Sequence, residues 1–385
     1  MHHPSLFQPL ILSNGVTLEN RLAVAPLTHY GSNPDGSFSD EEYRFLKGLA
    51  RGFGMFIMAA TLVSREGWAF VGQPLALSER DIPELVMRAR MVQECGSKAI
   101  LQLHHGGFKA QRSLMHDGVV YGASDDFETG ARQMSTAQVR HLAKAFGNAA
   151  ALAIEAGFDG VEIHGANGYA LQQFYSAQTN LRTDCYGGSR EGRMRLLLEA
   201  TDEVCEAREK AKARNFIIGY RFSPEEPGAY GLDMQDTYAL IDELKYRPLQ
   251  YLHVSQHDFY KHVRRGDDTA KLRVQAIHER IGGIMPLMGV GHLDTGEDLE
   301  KALATGYCEL VATGRSVMLN RNLVDMIKEG RDSEIEKLFH PMRPDHYDLP
   351  DYLYARCCEG GEWLPPVSGK EQSVNLGKIL GYADP

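Results

Sequence analysis

His164, Asn167 and Tyr169 fall inside the six-residue run His164-Gly165-Ala166-Asn167-Gly168-Tyr169. A neutral imidazole and a carboxamide can both donate a hydrogen bond to one carbonyl oxygen. A phenol two residues further on can act as a general acid. A lone histidine is most often a satisfied core residue, but three donors so close together point to chemistry. No Asp or Glu lies in the run. Glu162 just before it shares strand parity with His164, which makes it a minor candidate for a base.

Other polar residues sit at the ends of apolar runs. Thr28 and Tyr30 follow Ala25-Pro26-Leu27, Thr61 follows Ala60, and Gln102 precedes His104-His105, of which at most one can face the same side as Gln102. Arg221 lies inside an apolar run. An inward, unpaired arginine would be costly. Either it points outward or something anionic or electron-rich lies beside it, such as a phosphorylated cofactor with a polar heterocycle. Gly289-Val290-Gly291 and Gly314-Arg315 close the last two such runs. Glycines there let backbone N–H groups approach a phosphate, and Arg315 can pair with it.

These residues need elements to position them. Eight short apolar or β-branched runs occur in order, at 22–25, 55–63, 99–104, 160–164, 216–222, 251–255, 285–290 and 308–313. Most are continuously apolar, as in buried parallel strands. Helical patterns lie between most of them. The clearest is 137–156, opened by the capping box Ser135/Gln138 and closed by Gly157. A second runs from about 190 to 214, and a third closes at 301–305 before Gly306. Alternating strands and helices in this number predict an α/β fold, a (β/α)8 TIM barrel, with chemistry at the C-terminal strand ends. A doubly wound sheet is the alternative, but neither Gly52-Phe53-Gly54 nor Gly289-Val290-Gly291 completes a Gly-x-Gly-x-x-Gly fingerprint.

Composition narrows the field. The chain has 385 residues, a formal charge of −10 and six cysteines without Cys-x-x-Cys spacing. A disulfide scaffold, a zinc ribbon and a cysteine-ligated cluster are therefore excluded, and no metal is expected. The negative balance argues against nucleic acid. No apolar run is long enough to span a membrane, and no signal peptide shows, so a cytoplasmic setting is expected. A single barrel domain over 1–340 followed by a C-terminal extension over 341–385 accounts for the length. The extension, rich in Pro and Tyr, could cover the barrel or reach a neighbouring copy in a homo-oligomer.

Phe7-Gln8-Pro9-Leu10, Asn20-Arg21, Ala25-Pro26-Leu27-Thr28, the run from His164 to Tyr169, Asn180-x-Arg182-Thr183-Asp184-x-Tyr186-Gly187-Gly188-Ser189 and Gly314-Arg315 together resemble the Old Yellow Enzyme family. The resemblance implies FMN held non-covalently at the barrel mouth, with NADPH or NADH as reductant and an α,β-unsaturated carbonyl compound as substrate. It assigns Ala25, Pro26, Leu27 and Thr28 to the flavin ring, Thr28 tuning its potential. Ala60 and Gln102 would line the pyrimidine side, and Arg221 would stabilise the reduced, anionic ring. Gly289, Gly291, Gly314 and Arg315 would hold the phosphate. His164 and Asn167 would bind the substrate carbonyl, Tyr30 would contact the substrate, and Tyr169 would protonate its α-carbon. The missing cysteine spacing implies the single-domain branch. Two rivals compete. A non-redox (β/α)8 lyase or isomerase of a phosphorylated substrate would need a Lys or carboxylate at a strand end. A catalytically silent flavin-binding protein is disfavoured by the intact His164, Asn167 and Tyr169.

Overall fold

The computed structural model describes residues 2–126, 128–361 and 363–369. Eight parallel strands form its centre: β1 (Leu22–Val24), β2 (Met55–Ile57), β3 (Lys98–His104), β4 (Gly160–Gly165), β5 (Ile217–Phe222), β6 (Tyr251–Val254), β7 (Leu287–Val290) and β8 (Leu310–Thr313). Each pairs with its sequence neighbour, and β8 pairs with β1, so the sheet closes on itself. This is the expected (β/α)8 barrel. Closure leaves no free strand edge, and it buries both faces of every strand, which is why the runs read as apolar throughout.

One helix follows each strand over the outside: α1 (Asp40–Leu46), α2 (Ile82–Gln93), α3 (Thr136–Glu155), α4 (Arg190–Lys210), α5 (Met234–Leu244), α6 (Arg273–Ile281), α7 (Gly296–Ala304) and α8 (Leu323–Glu329). Ser135 caps α3 through the expected box with Gln138. Val139, Leu142, Phe146, Ala150 and Ala153 then bury one helical face, as their spacing requires. Gly157 sits at φ +82°, a left-handed stop suited to glycine.

Two expectations needed correction. The run 55–63 is not one strand. It breaks after Ile57, with a separate pair at Thr61–Leu62. Met58 N still donates to Ile100 O and Val63 N to His104 O, so the chain leaves the ladder only briefly, around the buried Ala60. The second long helix ends at Lys210, where Lys212 turns left-handed, and not at 214.

The barrel lumen is packed in layers. Ala23, Met55, Ile57, Ile100, Ile217, Met288, Leu310 and Ala312 fill it, and Leu12 and Leu18 of a short antiparallel hairpin join this cluster. Towards the mouth the packing turns polar, and the candidate site residues begin there.

Candidate active site

Strand register sets the site. Gln102 of β3 and Gly219 of β5 both align with Glu162 of β4, and Gly219 aligns with Tyr251 of β6. Two residues further up, Arg221 aligns with both His164 and His253. His104 follows Leu103, the partner of Ile163, and so reaches the level of His164. Because side chains alternate across a strand, all of these share one face, the lumen.

His164 ends β4 and is buried. Its Nδ1 accepts from Ala166 N at 3.2 Å, so the neutral ring carries its proton on Nε2, a donor. Burial, then His104 and Arg221, pushes its pKa well below the usual imidazole value. His104 is set by a relay. Ala69 N donates to Gln73 Oε1, which turns the Gln73 amide nitrogen towards His104 Nδ1 at 2.9 Å. Its Nε2–H is buried and has no partner. Burial holds this ring down at a pKa of about 3. Neither histidine is charged at neutral pH, so both are donors and not cations.

Tyr169 packs edge-on to both rings, with centroids 4.4 Å from His104 and 5.2 Å from His164. Burial and Tyr30 raise its pKa, which keeps the phenol protonated. Lys109 Nζ lies 5.2 Å from the Tyr169 ring and donates to Asn167 O at 2.9 Å. Asn167 adopts φ +58°, a conformation that Asn tolerates better than most residues. Its Oδ1 accepts from the Ser255 hydroxyl at 2.8 Å, leaving its amide N–H groups to donate.

Tyr30 is also left-handed, at φ +55°. Its ring meets Phe70, Tyr352 and Trp363, at centroid distances of 5.6, 5.0 and 6.4 Å. The last two belong to the C-terminal extension. It packs back through α9 (Asp351–Glu359), with Phe339 N and Ser368 N tying 339 to 366–368. The sequence contained no signal for this contact, since aromatic spacing in a tail does not say what it covers.

Ala25, Pro26, Leu27 and Thr28 continue β1 as extended chain, with Ala25 N donating to Thr313 O at 2.9 Å. Gly314 lies against them: a Cβ there would come within 3.0 Å of Leu27. Gly291, at φ +128°, has no room for a side chain against the Asp258 backbone. Gly289 faces outward, and Phe259 occupies the space its side chain would need. Arg315 lines a cavity of about 160 Å³ with His292, Asp294 and Lys337. Its Nη2 is 3.6 Å from Asp294. His292 and Lys337 had no sequence signal, because neither lies within a motif.

Arg221 is the most informative residue. It points inward, it is buried, and its Nε has no hydrogen-bond partner. An unsatisfied buried donor costs about 1–3 kcal/mol, more when charged. Glu162 supplies charge compensation from below but no hydrogen bond to it. Glu162 is fully buried, and it accepts from Gln102 Nε2 (2.8 Å), Tyr251 OH (3.1 Å) and His253 Nδ1 (2.8 Å). So engaged beneath the mouth, it is no solvent-side base. The Thr313 hydroxyl is likewise buried without a partner. The run from Asn180 to Ser189 is a brace. Arg182 clamps Asp184 and the carbonyls of Ala123 and Met134, and Ser189 caps α4.

Orphaned donors at the lumen end, with a basic cavity beside the loops after β7 and β8, fit a flat acceptor-rich ring with an anionic tail. Flavin mononucleotide is such a group. The chain belongs to the NADH:flavin oxidoreductase / NADH oxidase family, whose model matches residues 5–334. It is 42% identical over 363 residues to the probable NADH-dependent flavin oxidoreductase YqiG of Bacillus subtilis (strain 168), covering 94% of this chain and 97% of that protein. Morphinone reductase superposes with a TM-score of 0.74 at 26% identity, covering 90% of this chain and 96% of the other. The Old Yellow Enzyme homologue from Zymomonas mobilis does so at 0.71 and 25%, covering 85% and 93%. The protein is therefore an Old Yellow Enzyme relative, an oxidoreductase with FMN as cofactor and a nicotinamide nucleotide as reductant. No described helix is long and apolar enough to cross a membrane, and no group of metal-binding side chains forms among the described residues.

Proposed function

We propose that this enzyme reduces the C=C bond of α,β-unsaturated carbonyl compounds. The observation that carries the reading is the packing of a neutral, Nε2-protonated His164 against the protonated phenol of Tyr169. Bound FMN supplies a hydride taken from NAD(P)H. The protein residues do the rest. His164 Nε2–H and the Asn167 amide donate to the substrate carbonyl, drawing charge from the β-carbon. Tyr169 delivers its proton to the α-carbon. Arg221, Gln102, Ala60 and the Ala25–Thr28 stretch hold the ring, and Gly291, Gly314, Arg315, His292 and Lys337 hold the phosphate. Tyr30, with Tyr352 and Trp363 of the extension, forms the outer wall of the substrate pocket.

The test is a titration of the FMN-loaded protein. NADH, the reductant named for the Bacillus relative, should bleach its visible flavin bands without oxygen. Cyclohexenone should then restore them with formation of the saturated ketone. A bleached protein that enones leave unchanged would overturn the reading.

A further inference from the structure

Apart from Gln102, the polar layer beneath the mouth has no role in the steps above. At its centre is Glu162, fully buried, with its carboxylate taken up by Gln102, Tyr251 and His253. The fold makes room for this. Gly219 stands between Glu162 and Tyr251 in the ladder, and a Cβ there would lie 2.1 Å from the Tyr251 ring. Without one, the ring crosses the lumen and its hydroxyl reaches Glu162. Among the described residues, the only formal charge facing Glu162 from the layer above is Arg221, since His104, His164 and His253 are all held towards the neutral form by burial. Three donors for one carboxylate is more than cavity filling requires, and each favours the charged state. Burial alone raises the Glu162 carboxyl. The His253 ring and its hydrogen bond, Arg221 and Gln102 overcome that and hold it below the ordinary carboxylate value.

We propose that Glu162 is a positioning residue for the cofactor's electrochemistry. Its fixed negative charge offsets Arg221 from below, so the flavin ring feels less positive charge and its reduction potential is held down. The inference rests on the placement of the flavin against Arg221 proposed above. A low potential makes the reduced ring a stronger hydride donor to the substrate. A charge buried this deeply acts with little screening.

The test measures the FMN-loaded protein and its Glu162→Gln variant by dye-equilibrated reduction and by sulfite titration. Sulfite adds to the flavin ring and binds better as positive charge beside it grows. Glu162→Gln should favour reduction at least tenfold, about 30 mV for a two-electron couple, and should tighten sulfite binding at least tenfold. Arg221→Met separates the two layers of the argument, and it should weaken sulfite binding. If Arg221→Met does so while Glu162→Gln changes neither quantity, the role of Glu162 is wrong. If both variants leave both quantities unchanged, the flavin placement is wrong and the inference falls with it. If Glu162→Gln does not fold, an infrared difference spectrum of the wild-type protein, carbon-13 labelled at glutamate, decides the matter. Reduction should perturb an ionised carboxylate, whereas a carboxyl already protonated in the oxidised protein would overturn the proposal.

Discussion

At the residue scale, the site consists of neutral donors made neutral by burial. His164 and His104 present Nε2–H because their Nδ1 atoms are already occupied, by Ala166 N and by the Gln73 amide. Among the described residues, Tyr169 is the only phenol packed on both. Tyr169→Phe should slow reoxidation of the reduced enzyme by an enone by about 10²-fold or more, while leaving bleaching by NADH near the wild-type rate. Stopped-flow traces of the two half-reactions check this, and equal slowing of both would remove the proton-donor role. His164→Ala should weaken binding of phenolic ligands by about 2 kcal/mol through loss of one buried donor, read from the perturbed flavin spectrum. Much of this was legible early. His164, Asn167 and Tyr169 lie in one short run whose spacing on a strand end already brings them together. His104 stands out in the sequence as half of a histidine pair, but the residue that orients it, Gln73, is distant in sequence.

At the element scale, glycine positions and caps decide what the strands can carry. Gly219→Ala should force the Tyr251 ring aside and cost about 1–3 kcal/mol as overpacking. It should also disturb the flavin spectrum, because the layer under Arg221 depends on that ring. Ser135→Ala on α3, far from the mouth, should cost only about 1 kcal/mol through loss of the cap and leave the spectrum unchanged. Chemical denaturation with parallel absorbance spectra distinguishes the two. The break in the second strand and the early end of α4 escaped sequence reading for a common reason. Apolar residues persist across the first boundary and helix-favouring Ala, Lys and Arg across the second, while the ladder is ended by closure geometry and the helix by a left-handed Lys212.

At the scale of the whole molecule, burying several uncharged histidines has a consequence for acid stability. Burial brings His104 to a pKa of about 3 and His105 to about 4, against 6.5 in the unfolded chain. Such a ring takes up its proton mainly on unfolding. Its contribution is therefore complete above pH 6.5 and is lost as pH falls from there towards the folded value. Each contributes a slope of about 1.4 kcal/mol per pH unit in that window. Melting temperatures between pH 7 and 5 should fall steeply for the parent, and less so for His105→Gln, whose side chain sits outside the lumen against Gly67. Parallel curves would contradict the assignment.

The sequence alone determined the barrel, the family and the short run that carries the candidate donors, because strand apolarity, turn glycines and short motifs are local. It left Arg221 either outward or beside an electron-rich group, and the family resemblance favoured the second. Only the tertiary structure decided the rest. Register put Gln102, Glu162 and Tyr251 in one layer and His164, Arg221 and His253 in the next, and closure of the ring made them face one another. The extension's aromatic residues reached Tyr30 through docking of the chain end. Such contacts join residues far apart in the chain, and they exist only once hydrogen bonding between strands has fixed which side chains share a level.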